Sequence, residues 1–117
     1  MTAAIFITFT EPGFHRWPNA PGAQSYLAHR HRHLFGVTVR MHVHDDDREV
    51  EFHALKDEAR SLWPPGGELG TRSCEAMARE LAEKLSRRYQ RRVEVEVSED
   101  GECGAVVVID AKKNPAG

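Results

Sequence analysis

The chain has 117 residues, a length that suits one domain over residues 1–117 and leaves no room for a second catalytic one. Apolar residues make up 40% and charged residues 29%, the balance of an ordinary soluble globule. The 16 Lys+Arg nearly offset the 18 Asp+Glu, and a net charge of -2 argues against a protein that coats nucleic acid or lies on a membrane. No apolar run approaches the roughly 20 residues that cross a bilayer. The segment Met1 to Phe9 lacks a basic start and alternates with Thr, so it reads as a strand and not as a secretion signal. A cytoplasmic location is therefore expected. Cys74 and Cys103 are too few for a disulfide scaffold or a thiolate zinc finger. The seven histidines stand out, because three of them read His29-Arg30-His31-Arg32-His33.

The first expected strand runs from Ala3 to Phe9, rich in β-branched and aromatic residues. Pro12-Gly13 interrupts it, and Phe14 to Trp17 is a candidate to resume it. Pro18 to Gly22 reads as a loop. The second strand, His31 to His44, is the clearest element. One face carries His31, His33, Phe35, Val37, Val39, Met41 and Val43, and the other carries the polar residues between them. Asp45-Asp46-Asp47 makes the following turn.

A helix is expected from about Ala54 to Trp63, with Leu55, Ala59 and Leu62 on one face. Pro64-Pro65-Gly66-Gly67 stops it. A second helix, about Ser73 to Tyr89, brings Met77, Leu81 and Leu85 into register. Ser73 suits its N-cap, and Arg87, Arg88 and Arg91 suit its negative end. Val93 to Val97 and Ala105 to Ile109 read as two strands joined through Asp100-Gly101, a hairpin signal. The tail Lys112 to Gly117 reads as frayed. The order ββααββ predicts an α+β fold, a four-stranded antiparallel sheet with two helices on one face. The strands carry more apolar surface than a small monomer buries, so sheets are expected to join between subunits.

His31 and His33 are two apart on a strand, so their rings share a face and offer two nitrogens to one metal ion. A catalytic zinc takes three protein ligands and keeps one open position. His15, ending the first strand, is the best third ligand by position, and His29, of the same parity, competes with it. A basic, solvated His/Arg strand end that binds phosphate or RNA is the plain alternative, and the near-neutral charge weakens it.

The ordered motifs Phe14-His15, His31-Arg32-His33-Leu34-Phe35, Glu51-Phe52-His53-Ala54-Leu55-Lys56, Ser73-Cys74-Glu75-Ala76-Met77-Ala78 and Val95-Glu96-Val97-Ser98-Glu99 resemble the 6-pyruvoyl-tetrahydropterin and 6-carboxytetrahydropterin synthases. These are the tunnelling-fold enzymes, carbon–oxygen lyases of pterin and of queuosine (deazaguanine) biosynthesis. The resemblance spans nearly the whole chain. It implies Zn2+ bound by His15, His31 and His33, and a homo-trimer or homo-hexamer whose sheets close a barrel. It implies that Glu99 anchors a pterin or purine-like small molecule, such as a dihydroneopterin triphosphate, by accepting hydrogen bonds from its guanidine-like edge.

The departures are equally plain. The family's catalytic Cys position is Leu27 here, and neither cysteine lies near it in sequence. The family's Asp-His loop between the helices corresponds to Leu62 to Leu69, which contains no Asp-His. No catalytic residue is assigned. The expectation is a zinc-dependent pterin protein with altered or lost lyase chemistry. A non-catalytic oligomer that binds or sequesters a pterin or purine is the alternative. Arg30 and Arg32 are candidates either to bind an anionic substrate tail or to solvate the strand end.

Overall fold

The computed structural model describes residues 2–111. The expectation for the tail Lys112 to Gly117 lies outside the described residues. In chain order the elements are β1 (Ala3–His15), β2 (His31–Val43), α1 (Phe52–Ser61), β3 (Glu68–Gly70), α2 (Cys74–Tyr89), β4 (Val93–Glu99) and β5 (Cys103–Ile109). They form one five-stranded sheet in the order β3-β1-β2-β4-β5. The α+β architecture stands as expected, with one strand more than the four anticipated.

The extra strand is β3, which runs parallel to the end of β1 and pairs Phe14 with Glu68 and His15 with Gly70. Three residues give no readable alternation. The residues before it read as a helix stop, and they are also what brings the chain back beside β1. A Cβ at Gly67 would lie only 2.4 Å from the Pro12 carbonyl oxygen, so glycine alone allows that approach.

β1 is continuous where an interruption was expected. Pro12 sits opposite Leu34, and Gly13 opposite His33, within an unbroken antiparallel ladder to β2. Beside Pro12 the side of β1 away from β2 meets only the Pro65–Gly67 turn, so a missing N–H is tolerated there. In the linker between β1 and β2, the expected loop Pro18 to Gly22 runs into 3-10 turns over Gly22–Ala28.

Both helices cover one face of the sheet. Leu55 and Ala59 of α1 and Met77, Ala78, Leu81, Ala82 and Leu85 of α2 join the inward residues of β1, β2 and β4 in one buried cluster. Leu62 packs at its margin. The helix starts follow local chemistry. The Glu51 carboxylate accepts from the Ala54 N–H, and the Ser73 hydroxyl accepts from the Ala76 N–H. At the far end of α2, Gln90 takes a left-handed conformation and its N–H bonds the Ser86 carbonyl. No helix among the described residues is long and apolar enough to cross a membrane.

Candidate metal centre

The inward face of β1 and β2 changes character along its length. From Ile7, Phe9, Val37, Val39 and Met41 it is apolar and buried under the helices. At the other end the same face carries His15, His31 and His33. Cross-strand register puts His15 directly opposite His31, and His33 follows two residues on. Phe35 closes the core beneath them, with its ring 5.3 Å from that of His15 and 5.7 Å from that of His33. Gly13 makes room for this ring, because a Cβ there would lie 2.8 Å from a Phe35 carbon.

One ring nitrogen from each of His15, His31 and His33 lies within 4.8 Å of the others, a spacing from which three atoms can hold one metal ion. The remaining nitrogens are all occupied in the same way. Nδ1 of His15 lies 2.9 Å from the Arg72 carbonyl oxygen. Nδ1 of His31 lies 2.8 Å from the His29 carbonyl oxygen. Nδ1 of His33 lies 2.7 Å from a carboxylate oxygen of Asp100. A carbonyl or carboxylate oxygen only accepts, so each Nδ1 is the donor and each neutral ring presents an Nε2 lone pair. That is the arrangement metal-binding histidines use.

The open side of the cluster is electron-rich. Glu99 places one carboxylate oxygen 3.5 Å from His15 Nε2 and the other 3.2 Å from His33 Nε2. His33 Nε2 is buried without a hydrogen-bond partner despite that proximity. With the ring proton on Nδ1, Nε2 would face Glu99 as a lone pair. Burial holds the His15 imidazole below the usual histidine range, and the two neighbouring imidazoles add to this, against the Arg72 carbonyl and Glu99. Three lone pairs and a carboxylate converging on one place form a site whose missing complement is a cation. The residues present therefore fit a zinc ion.

A cavity of about 390 Å³ opens beside this cluster, lined among others by His15, His31, Glu99, Cys74, Cys103 and Arg72. Its volume falls in the range of small-molecule sites. The two cysteines, remote in sequence from the expected catalytic position, both reach this cavity. Cys74 begins α2, and its Sγ donates to a Glu99 oxygen 3.7 Å away. Burial first, and then the Glu99 carboxylate, pushes the Cys74 thiol up to about 12, so it stands as a neutral donor and not as a thiolate. Cys103 is exposed and is the register partner of Glu99 across the β4–β5 hairpin. That hairpin signal, Asp100-Gly101, already implied that a residue just past the turn would sit beside Glu99.

Other candidates fall elsewhere. His29 contributes its carbonyl oxygen to the cluster, while its ring is not among the grouped nitrogens. It lies just before β2, so the parity that seemed to align it with His31 does not apply. Arg30 is paired with Glu68 of β3, and its guanidinium lies 3.8 Å from the centroid of the Phe14 ring. It clamps β1 to β3 and does not line the cavity, and neither does Arg32. The cations at the cavity are Arg16 and Arg72. His42 and His44 lie away from the cluster, with their rings 5.5 Å apart.

No protein-family model and no curated protein sequence matches the chain. Solved structures do. The chain superposes on a catalytic-residue variant of the 6-pyruvoyltetrahydropterin synthase of Plasmodium vivax with a TM-score of 0.68 at 13% identity, covering 94% of this chain and 99% of that one. A second structure of the Plasmodium vivax enzyme gives 0.63 at 13% identity, with the same coverage. From its strand order to its paired helices, this chain has the 6-pyruvoyltetrahydropterin synthase fold, the tunnelling fold.

Proposed function

We propose that this protein is a zinc-dependent pterin protein. His15, His31 and His33 hold the metal, and Glu99 anchors a pterin or purine-like ligand beside it. The observation that carries this reading is the shared placement of the three rings, each with Nδ1 within hydrogen-bond distance of an oxygen acceptor and one nitrogen of each within 4.8 Å of the others. When bound, zinc would polarise a carbonyl or hydroxyl pair of the ligand or ionise a water. Glu99 would accept two hydrogen bonds from a guanidine-like edge. Arg16 and Arg72 at the cavity would favour an anionic tail such as the triphosphate of a dihydroneopterin substrate. The assembly would be a homo-trimer or homo-hexamer, with the cavity completed by a neighbouring subunit.

A second reading, a non-catalytic oligomer that binds or sequesters the same ligand, rests on its own observation. The cavity lining contains no aspartate, and its buried thiol is held protonated first by burial and then by Glu99. General acid–base chemistry needs a group near neutrality within reach of the proton.

Elemental analysis of purified protein tests the metal. About one zinc per chain, lost in His31→Ala, is expected, and less than about 0.2 per chain overturns the site. Turnover of dihydroneopterin triphosphate, compared between the native chain and Glu99→Ala, separates the readings. A ligand that binds tightly and stays chemically unchanged leaves the binder and removes the lyase.

A further inference from the structure

Of the three acceptors that fix the histidine rings, two are backbone carbonyls and one is a side chain, that of Asp100. Asp100 occupies the tight turn between β4 and β5. Asp100 and Gly101 take φ values of 57° and 72°, and the Glu102 N–H closes the turn onto the Glu99 carbonyl. Two successive residues at positive φ suit Asn-Gly as well as Asp-Gly, so the turn itself does not demand a carboxylate.

What demands it lies across the sheet. One Asp100 oxygen accepts from the Leu34 N–H at 2.8 Å, and the other accepts from His33 Nδ1 at 2.7 Å. The Asp100 N–H in turn donates to the Leu34 carbonyl at 2.8 Å. The side chain thus meets two donors at once, and it is locked to β2 on both sides of Leu34. A carboxylate has an acceptor for each donor. An amide has one acceptor oxygen and an NH2 group, so it satisfies only one of them. With Asn at this position, either the Leu34 link breaks or the amide donates to His33 Nδ1. In the second case the ring proton moves to Nε2, the nitrogen that faces the cluster.

We propose that Asp100 is a positioning residue of the metal site, holding the His33 ring in the Nδ1–H form so that Nε2 is presented as a free lone pair. This rests on the reading of His15, His31 and His33 as zinc ligands. The carboxylate–histidine–metal relay is a general device for orienting a ligand and raising its basicity. Here it is built from a hairpin turn that is also the end of the strand carrying Glu99.

The experiment compares the native chain with Asp100→Asn and Asp100→Gly, both of which suit positive φ. Zinc alone is the probe, titrated in competition with a chromophoric chelator. Affinity is expected to fall about 10- to 100-fold in both variants. In the metal-free proteins, long-range proton–nitrogen NMR correlations of the His33 ring read the tautomer directly. The native ring is expected to carry its proton on Nδ1, and the Asp100→Asn ring to gain an Nε2–H population. Circular dichroism of the metal-free variants checks that the fold is kept, and two substitutions guard against one of them failing to fold. Native zinc binding with both variants within about 3-fold overturns the role of Asp100 and leaves the metal site standing. A native His33 ring protonated on Nε2 also overturns it. A native chain that binds no zinc overturns both.

Discussion

Cys74 shows how burial and charge decide what a thiol can do. It is buried at the start of α2 and faces Glu99, while Cys103 is exposed across the hairpin from the same carboxylate. An alkylating reagent at pH 8 is expected to modify Cys103 first. In Cys103→Ser, modification of Cys74 should then run more than about 100-fold slower than Cys103 in the native chain, followed by mass spectrometry. Comparable rates would show that Cys74 carries a usable thiolate and would reopen it as a nucleophile. At this scale the sequence was partly legible. The shared parity of His31 and His33 followed from period two, and the antiparallel return of β1 brought His15 opposite. The parts that escaped were the supports. Asp100 reads equally well as a plain turn residue, and a backbone acceptor such as the Arg72 carbonyl has no side-chain signature at all. Cys74 reaches the cavity from the start of α2, which follows β3, a strand too short to read.

At the scale of elements, the two helices are tied by a side-chain link as well as by apolar packing. The Tyr89 hydroxyl near the end of α2 donates to a Glu58 oxygen in α1, and Arg88 lies 3.4 Å from the other Glu58 oxygen. Burial first, and then Glu58, pushes the Tyr89 phenol up to about 12 from its usual 10. A folded-state value above the unfolded one means that this link stabilises fully below pH 10 and is lost as pH rises towards 12. In Tyr26→Phe, phenolate absorbance should rise with a midpoint near 12, and a midpoint near 10 would dissolve the link. Tyr89→Phe should cost about 1 kcal/mol near neutral pH, read by denaturant melting. Element by element, strong periodicity gave β2 and α2 almost to the residue. The breaks misled: Pro12-Gly13 looked like an interruption because proline lacks a donor. The sheet tolerates it where β1 has no full strand on that side.

At the scale of the whole molecule, one sheet face and the β5 edge lack cover. Phe6, Leu34, Val106 and Val108 are exposed on the face away from the helices, and β5 is a seven-residue edge strand. Long apolar edges invite pairing with another chain. Light scattering is expected to give a trimer or hexamer, and Val106→Lys with Val108→Lys should shift it towards monomer while circular dichroism is retained. A native monomer at micromolar concentration would remove the oligomeric barrel. The supports of the three histidine rings have a consequence for this whole chain. They come from His29, two residues before β2, from the stretch between β3 and α2, and from the β4–β5 turn. These segments meet only once the entire sheet has closed, so an unfolded chain offers scattered imidazoles and no pocket of matched lone pairs. An ion seated there would act as a thermodynamic latch on the complete topology. Each tenfold excess of metal over its dissociation constant would then add about 1.4 kcal/mol to the folded state. Stripping the protein with a chelator should lower its melting temperature, and restoring zinc should return it in proportion to the logarithm of the free metal.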